Sequence, residues 1–308
     1  QLGYTRILKP VIHAIIPAFN EALSIGKVIR EIPTDLVSEI IVVNNASTAD
    51  YSEVKNYVSA ATGIPFQFIE APSNLGVTKG RNFALQFAKG EIIIFIDDDA
   101  VLQNKDALQN VVRSFSTEGI GGRPIGIVSF KVLYYDTLQM QVNGLPHKRY
   151  TEYKDKDGFF TYFFAGGAHA IRRKVLEEVG NLPEEFFYGM EEYDLSYRIL
   201  EKGYSIVYSN KIVMLHKESP MGRKPKDEKL KMMWINKAKV AYRYLPKKYF
   251  YSTALMWSLQ FLRISNWNLK GFAKGWREIW NIPRTEIRTP VSNETMDYLK
   301  KVRARLWY

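Results

Sequence analysis

The chain has 308 residues, of which 46% are hydrophobic and 24% charged, and this composition excludes disordered, collagen-like and disulfide-scaffold proteins. It contains no cysteine, so disulfides, thiolate zinc sites and cysteine nucleophiles are excluded as well. The net charge of +11 is concentrated in residues 217–308, which carry +14, whereas the rest of the chain carries −3. A basic segment predicts a polyanionic partner, and the acidic first two thirds favour anionic lipid or a phosphorylated ligand over nucleic acid.

Short β-branched runs alternate with helical patterns through the first hundred residues. The predicted strands are Val11–Ile16, Ile40–Val43, Phe66–Ile69 and Ile92–Ile96, and the predicted helices are Ile25–Ile32 (capped by Ser24), Tyr51–Ala61 and Thr78–Ala88. This alternation indicates a parallel sheet covered on both faces, in which ligands bind beyond the carboxyl ends of the strands. Polar segments stand at three such ends: residues 17–21, 44–47 and 97–99.

The pattern becomes mixed further along the chain. The predicted elements are the strand Ile127–Tyr134, a loop or hairpin over 136–160, a glycine-interrupted segment Phe163–Ile171, the helices Arg173–Val179 and Glu191–Lys202, the strands Ile206–Tyr208 and Ile212–Leu215, a helical face over 228–245 and an uncharged aromatic run Tyr249–Leu262. We predict an α/β fold with a mostly parallel central sheet and helices on both faces. We divide it into a catalytic domain at 1–220 and a basic, aromatic helical extension at 221–308.

Three consecutive carboxylates, Asp97-Asp98-Asp99, follow the predicted strand Ile92–Ile96 directly. They would repel one another unless a cation or strong hydrogen-bond donors lay among them. If the strand continued, the side chains of Asp97 and Asp99 would share one face. Carboxylate oxygens suit Mg²⁺ or Mn²⁺, which also bind phosphate oxygens, whereas the alternative is a solvated acidic turn. We therefore predict a divalent metal site at this position.

A second polar block surrounds the start of the predicted helix Thr78–Ala88 and contains Asn74, Gly76, Lys79 and Arg81. Backbone N–H groups at a helix start, together with basic side chains, predict an anion site, and the alternative is a solvated helix face. The block lacks the glycine patterns of P-loop and dinucleotide-binding proteins, which argues against an NTPase and a dehydrogenase.

A third block, Glu191-Glu192-Tyr193-Asp194, begins a predicted helix and follows the aromatic segment Phe186–Met190. Acidic residues there are favoured by the helix dipole, which is the structural explanation. Carboxylates beside an apolar wall also acquire a raised pKa and suit general-base catalysis. His216 follows the predicted strand Ile212–Leu215, at an edge where ligands bind, and the acidic cluster favours a functional role for it over a structural one.

These blocks, in this order, resemble the family 2 glycosyltransferases with the GT-A fold. The resemblance covers residues 11–220 and is carried by four segments, at 16–21, 44–50, 74–99 and 166–195. Each is weakly specific alone, whereas all four at these spacings are highly specific. The Asn-Ala-Ser-Thr stretch at 45–48 is most similar to rhamnosyltransferase-type members of the family.

The resemblance implies a role for each matching position. For the nucleotide sugar, together with the anion block, the residues are Pro17, Ala18, Asn20, Glu21, Asn44, Asn45, Ser47, Asn74, Gly76, Lys79, Arg81, Asp97 and Asp98. For Mn²⁺ or Mg²⁺ they are Asp97, Asp99 as the direct ligand, and His216; for catalysis they are Glu192 as base, Glu191 as the next candidate, and Asp194 to orient the site or an acceptor hydroxyl. For the acceptor or sugar they are Gly166 and Gly167, with apolar faces from Phe187, Tyr188 and Trp234.

The sequence departs from the family pattern at two positions. Asn44 stands where relatives usually have an aspartate that contacts the base, and because an amide both donates and accepts, the choice of base is open. Glu192 stands where relatives usually place the catalytic aspartate, so the carboxyl persists on a longer side chain.

We expect an inverting, metal-dependent glycosyltransferase of the hexosyl or deoxyhexosyl class, using a nucleotide-diphosphate sugar and a hydroxyl of a glycan or lipid-linked acceptor. Its setting would be surface polysaccharide or glycan synthesis. One alternative is a sugar-1-phosphate nucleotidyltransferase, whose glycine-rich basic signature is missing at Pro17–Glu21. Another is an inactive glycan-binding protein on the same fold, against which the retained carboxylates and His216 argue.

The extension allows three interpretations. Its uncharged run Tyr249–Leu262 is flanked by Lys247-Lys248 and Arg263, a composition typical of an interfacial element, so we predict peripheral membrane contact through 246–308. The alternatives are packing on the catalytic domain and a homodimer interface. No apolar stretch reaches the ~18 residues of a transmembrane helix and no signal-peptide pattern is visible. We therefore expect a cytoplasmic protein, at the inner face of the membrane if the extension binds lipid.

Overall fold

The computed structural model describes residues 12–18, 32, 36–61, 63–217 and 226–307. Within these ranges nine strands form one sheet: β1 Ile12–Ala18, β2 Val37–Asn44, β3 Phe66–Glu70, β4 Ile92–Ile96, β5 Ala100–Leu102, β6 Ile125–Tyr134, β7 Gly158–Thr161, β8 Ala168–Arg172 and β9 Ser205–His216. The α-helices in the same ranges are α1 Ser52–Ala61, α2 Gly76–Leu85, α3 Ala107–Phe115, α4 Tyr150–Tyr153, α5 Arg173–Val179, α6 Glu191–Glu201, α7 Lys226–Tyr244, α8 Lys247–Ile264, α9 Leu269–Thr285 and α10 Asn293–Lys301. The predicted helix at 25–32 and its cap Ser24 lie almost wholly outside these ranges.

The sheet has the strand order β3-β2-β1-β4-β8-β6-β9-β5, with β7 paired to β9. Strands β3, β2, β1 and β4 are mutually parallel, as the alternating pattern predicts. Beyond β4 the sheet is mixed, because β8 is inserted antiparallel between β4 and β6. The predicted mostly parallel sheet is confirmed, since six of the nine described strands run in one direction and β5, β7 and β8 run in the other.

Both faces of the parallel half are buried, as its continuous apolar strands predict. In β2, Ile40 and Val42 belong to one hydrophobic cluster, whereas Ile41 and Val43 belong to another on the opposite face. This alternation follows from the two-residue period of a strand. The sheet is thus held rigidly between two cores, and the loops at its edge are positioned by that scaffold.

The helices of the extension share a core with one face of the sheet. Trp234 of α7 is fully buried and donates from its indole Nε1 to the carbonyl of Ala254 at 2.9 Å. It packs so closely on Gly275 of α9 that a Cβ there would lie 2.2 Å from the ring. Tyr298 of α10 donates its hydroxyl to the Thr161 carbonyl of β7 at 3.0 Å. These contacts make α7–α10 an integral layer of the fold.

One strand of the sheet differs from the sequence-based prediction. The two strands expected at 206–208 and 212–215 form the single strand β9. Its register against β6 jumps between Phe130 and Lys131, which pair with Ser209 and Val213, so the intervening residues bulge out of the ladder.

None of the helices in the described ranges is long and apolar enough to cross a membrane.

Candidate active site

Asp97, Asp99 and His216 converge at one edge of the sheet. Asp97 and Asp99 lie in the turn between β4 and β5, and the antiparallel pairing of β5 with β9 places Ala100 opposite His216. One ligand atom from each of the three side chains lies within 4.8 Å of the others. The Nε2 of His216 is 3.1 Å from Oδ1 of Asp99. The predicted metal ligands therefore meet, although a turn rather than a continued strand brings the two carboxylates together.

Gln141 orients His216 and was missed by sequence reasoning. Its amide Oε1 lies 3.1 Å from Nδ1 of the imidazole and can only accept a hydrogen bond. With the hydrogen on Nδ1, the imidazole donates to this oxygen and Nε2 keeps a lone pair for a metal ion lying between it and Asp99. Fixing the tautomer through the other ring nitrogen is how proteins commonly prepare a histidine ligand. Nothing in the polar stretch 136–160 distinguishes this glutamine from its neighbours.

Arg81 lies at the centre of the acidic site. It projects from α2, is only 5% exposed, and its Nη2 donates to Oδ1 of Asp97 at 3.1 Å. The pKa of both Glu191 and Glu192 is raised, chiefly by burial, and the positive charge of Arg81 opposes that rise. The positive charge of Arg81 therefore acts on several carboxylates at once. This excludes the alternative that Arg81 lies on a solvated helix face.

The carboxylate pair Glu191 and Glu192 begins α6, directly after a tight turn in which Gly189 and Met190 both have φ near +77°. Burial raises the pKa of Glu192, and the neighbouring charge of Glu191 raises it further. A carboxylate whose pKa is lifted toward neutrality is suited to exchange a proton with a hydroxyl.

Gly166 and Gly167, just before β8, give the two carboxylate groups their space. A Cβ on Gly166 would lie 2.1 Å from Oε1 of Glu192, and a Cβ on Gly167 would lie 1.9 Å from Oδ2 of Asp97. Glu192 and Asp97 thus rest on the backbone of adjacent residues. The metal cluster and the predicted base are two sides of one cleft.

The loop that precedes α2 is held by hydrogen bonds to Asn45. Its Oδ1 accepts from the backbone N–H of Leu75 at 2.8 Å, and its Nδ2 donates to the Gly76 carbonyl at 3.2 Å. Asn74 reinforces the loop by accepting from the Gly76 N–H at 3.0 Å. This loop leads into α2, so Asn45 sets the position of Arg81 indirectly.

Asn44, at the position where relatives usually have an aspartate, forms a hydrogen bond with Glu70. The Asn44 amide donates to Oε2 of Glu70 at 2.7 Å and accepts from the Ser47 N–H at 2.9 Å. An aspartate at position 44 would place a second carboxylate against Glu70, so the amide suits this neighbour.

The remaining predicted nucleotide positions are distributed along the same edge. Pro17 and Ala18 pair with Val43 and Asn44 at the ends of β1 and β2. Asn20 and Glu21 lie outside the described residues. Lys79 is exposed on the solvent side of α2, and Asp98 is half-buried in the turn after β4.

Two predictions for individual residues need correction. Trp234 is not available to a sugar, because it is fully buried among Gly275, Phe261 and Phe272. Asp194 does not face an acceptor, because it is 1% exposed and its carboxylate accepts from Arg198, Arg243 and Tyr244. Asp194 therefore anchors α7 to the start of α6.

Two of the aromatic residues that were predicted to contact a sugar are exposed to solvent. Phe187 is 59% exposed, and a Cβ on Gly76 would lie 3.7 Å from its ring, while Tyr188 is 39% exposed. Both precede the glutamate pair and project at the mouth of the cleft.

The family model described as Glycosyl transferase family 2 matches residues 13–180 of this chain. The O-antigen chain rhamnosyltransferase RfbN of Salmonella typhimurium is 26% identical over 148 residues, which cover 44% of this chain and 44% of that protein.

Two solved structures share the fold over almost the whole chain. The mannosyltransferase PcManGT from Pyrobaculum calidifontis, in complex with GDP-Man and Mn²⁺, has a TM-score of 0.57 and 21% identity, covering 98% of this chain and 82% of that one. GalNAc-T7 with UDP, GalNAc and Mn²⁺ has a TM-score of 0.63 and 18% identity, covering 93% of this chain and 60% of that one. At such identities the likeness concerns the fold.

Proposed function

The chain belongs to glycosyl transferase family 2, and we propose that it is an inverting, metal-dependent enzyme that moves a sugar from a nucleotide-diphosphate donor to an acceptor hydroxyl. The observation that carries this proposal is the meeting of the Asp97, Asp99 and His216 cluster with the Glu191 and Glu192 pair across Arg81. One side of the cleft suits a departing diphosphate and the other suits a hydroxyl that must lose a proton.

The donor set fits Mn²⁺ or Mg²⁺. Two carboxylates and an imidazole whose Nε2 lone pair is fixed by Gln141 offer hard oxygen and borderline nitrogen ligands. Asp97, Asp99 and His216 would hold the ion. When bound, it supplies positive charge where the nucleoside diphosphate leaves.

Glu192 is the proposed general base. Burial and the charge of Glu191 raise its pKa to about 8, so its ionised form is a stronger base toward an acceptor hydroxyl than an ordinary carboxylate, and the positive charge of Arg81 favours that ionised form. The hydroxyl then attacks the anomeric carbon from the face opposite the diphosphate, so configuration inverts. Phe187 and Tyr188 offer apolar surface on which the sugar can pack.

Substitution of Glu192 by glutamine tests this assignment. We expect donor binding with Mn²⁺ to stay intact while transfer falls roughly 10²–10⁴-fold, since the shape persists and the base is lost. Calorimetric titration of nucleoside diphosphates measures the first quantity, and product formation from a panel of nucleotide sugars measures the second. Glu191→Gln is the matched control and should lose less activity. Wild-type turnover by Glu192→Gln would refute the base assignment.

The acceptor is proposed to be a glycan or lipid-linked hydroxyl in surface polysaccharide or glycan synthesis, and the transferred sugar a hexose or deoxyhexose. The rhamnosyltransferase relative, described as acting on an O-antigen chain, supports this choice. The GDP-Man and UDP complexes of the two structural neighbours support a nucleotide-diphosphate donor.

Peripheral contact with an anionic membrane is part of this proposal. Tyr251, Leu255 and Leu259 are each more than half exposed and recur every four residues along α8, so they form one apolar stripe. Deleting residues 246–308 would not test the stripe, since these helices share the protein core. The sharper test is Leu255→Glu with Leu259→Glu, which should reduce co-sedimentation with phosphatidylglycerol vesicles. Unchanged partitioning would contradict membrane contact through this stripe.

A further inference from the structure

We propose that an open cavity between α6, α7 and α8 binds a phosphate group carried by the acceptor, an inference that rests on the proposed function. The cavity has a volume of about 300 Å³. Residues from distant parts of the chain line it, including Lys148, Tyr193, Lys237, Trp257 and Arg305. Its three basic residues are separated by up to 157 positions along the chain, so no local sequence pattern marks the cavity.

Three basic residues line this cavity, and none of the described residues that line it is an aspartate or a glutamate. Lys237 is half-buried, whereas Lys148 and Arg305 are exposed at the rim. The ammonium group of Lys237 lies 4.8 Å from the ring centre of Trp257 and 5.6 Å from that of Tyr193. In the part of the chain that the structure describes, the ion pairs do not include Lys148 or Lys237.

The pKa values of Lys237 and Lys148 are both lowered by burial and by neighbouring positive charge. Burial, together with the positive charges of Lys148 and Arg305, lowers the pKa of Lys237 to about 7. Burial and the charge of Arg305 also lower the pKa of Lys148. Cations that repel one another in this way are stabilised by an anion placed among them. A phosphate carries two negative charges and several acceptor oxygens, so it suits this arrangement better than a single carboxylate.

The position of the cavity assigns the anion to the acceptor. The first turn of α6 presents Glu192 to Gly166 and Arg81, while the flanking Met190 and Tyr193 line the cavity. The charge of Glu192 also raises the pKa of Lys148, so the base and the cavity are electrostatically coupled. None of Asp97, Asp99 and His216 lines the cavity. The cavity therefore adjoins the proposed base through Met190 and Tyr193 without including the metal ligands, which is where we place the acceptor.

Inorganic phosphate is the probe for the test, titrated calorimetrically into the full chain without metal or donor. We expect Lys237→Met to weaken phosphate binding about tenfold, since one charge-assisted hydrogen bond is lost. Lys237→Arg should keep the affinity within a few-fold. Lys247→Met is the matched control, because Lys247 is exposed on α8, does not line the cavity and should leave phosphate binding unchanged. Equal binding by all variants, or none by the wild type, would overturn the proposal.

Two further measurements separate the acceptor from other sources of phosphate. If Lys237→Met weakens the binding of GDP or UDP with Mn²⁺, the cavity serves the donor and the proposal fails. Decyl phosphate distinguishes the carriers: tighter binding than inorganic phosphate supports a lipid-borne phosphate, and equal binding supports a water-soluble one. Because these titrations need no turnover, a failure of Glu192→Gln to block transfer would refute the catalytic assignment and leave the phosphate result standing.

Discussion

Adjacent glycines in the cleft allow the metal side and the base side to be perturbed separately. Gly167→Ala introduces a Cβ that would lie 1.9 Å from Oδ2 of Asp97, and Gly166→Ala one that would lie 2.1 Å from Oε1 of Glu192. Both glycines have backbone conformations outside the left-handed region, so alanine brings no φ strain. The same small substitution at neighbouring positions therefore displaces two different carboxylates.

The size of the effect follows from the contact distances. Ordinary contact with a Cβ begins near 3.4 Å, so the Asp97 carboxylate must move by roughly 1.5 Å. Metal–ligand distances tolerate only about 0.2 Å, and disturbing the support of a ligand typically costs 10–100-fold in metal affinity. We expect the Mn²⁺ concentration for half-maximal activity to rise by that factor, roughly 1.4–2.7 kcal/mol. Asp97 is 34% exposed and can rotate toward solvent, so the free energy of unfolding should fall by no more than ~1–3 kcal/mol.

The assay is the initial rate of donor consumption as a function of Mn²⁺ concentration at saturating donor. Gly167→Ala should shift the midpoint of this curve, whereas Gly166→Ala should lower the maximal rate and leave the midpoint within about twofold. Thermal unfolding of both variants shows whether they are folded. A folded Gly167→Ala protein with the wild-type Mn²⁺ midpoint would refute the placement of Asp97 in the metal site.

Three further predictions test other parts of the structure. Gln141→Leu should raise the Mn²⁺ midpoint at least tenfold because the acceptor for Nδ1 of His216 is lost, whereas the exposed neighbour in Gln139→Leu should change nothing. Arg243→Met should lower the free energy of unfolding in urea by about 3 kcal/mol, because the buried carboxylates of Asp194 and Glu286 both lose an ion pair; a loss below 1 kcal/mol would contradict this. Sulfate binding to the cavity should weaken as the pH rises through about 7, because Lys237 loses its proton above its pKa while sulfate keeps its charge. In Lys237→Arg that pH dependence should disappear, and its persistence would assign the titration to another group.

The parallel half of the fold was predictable because its signals are local. Each strand from β1 to β4 is rich in apolar residues, and β2 and β4 are followed by or end at polar residues such as Asn44 or Asp97. Chain order then fixes which ends meet, since parallel strands place their carboxyl ends at one edge. The direction of β8 could not be read in the same way. It depends on the path of the long segment after β6, which has no periodic pattern.

The residues that sequence reasoning missed or misassigned depend on contacts between distant segments. Gln141 is 75 positions from His216, and its importance comes only from the imidazole that it orients. Trp234 looked available for a sugar because aromatic residues often line such sites, but Gly275 admits its ring into the core. The sequence likewise does not distinguish a catalytic from a structural acidic residue at a helix start. Glu192 faces the cleft, whereas Asp194 faces α7.

The positive charge of the extension illustrates why composition identifies a partner only in outline. Some of that charge is consumed inside the protein: Arg243 pairs with Asp194 and Glu286, and Arg288 donates to the Leu245 carbonyl just beyond the end of α7. Other residues, Lys237 and Arg305, face the cavity beside the proposed base. The positive charges of the extension therefore do not all face the same partner. The charges that line this cavity are the ones that a phosphate-bearing acceptor would meet, and which residues supply them is set by the packing of α7–α10 on the sheet.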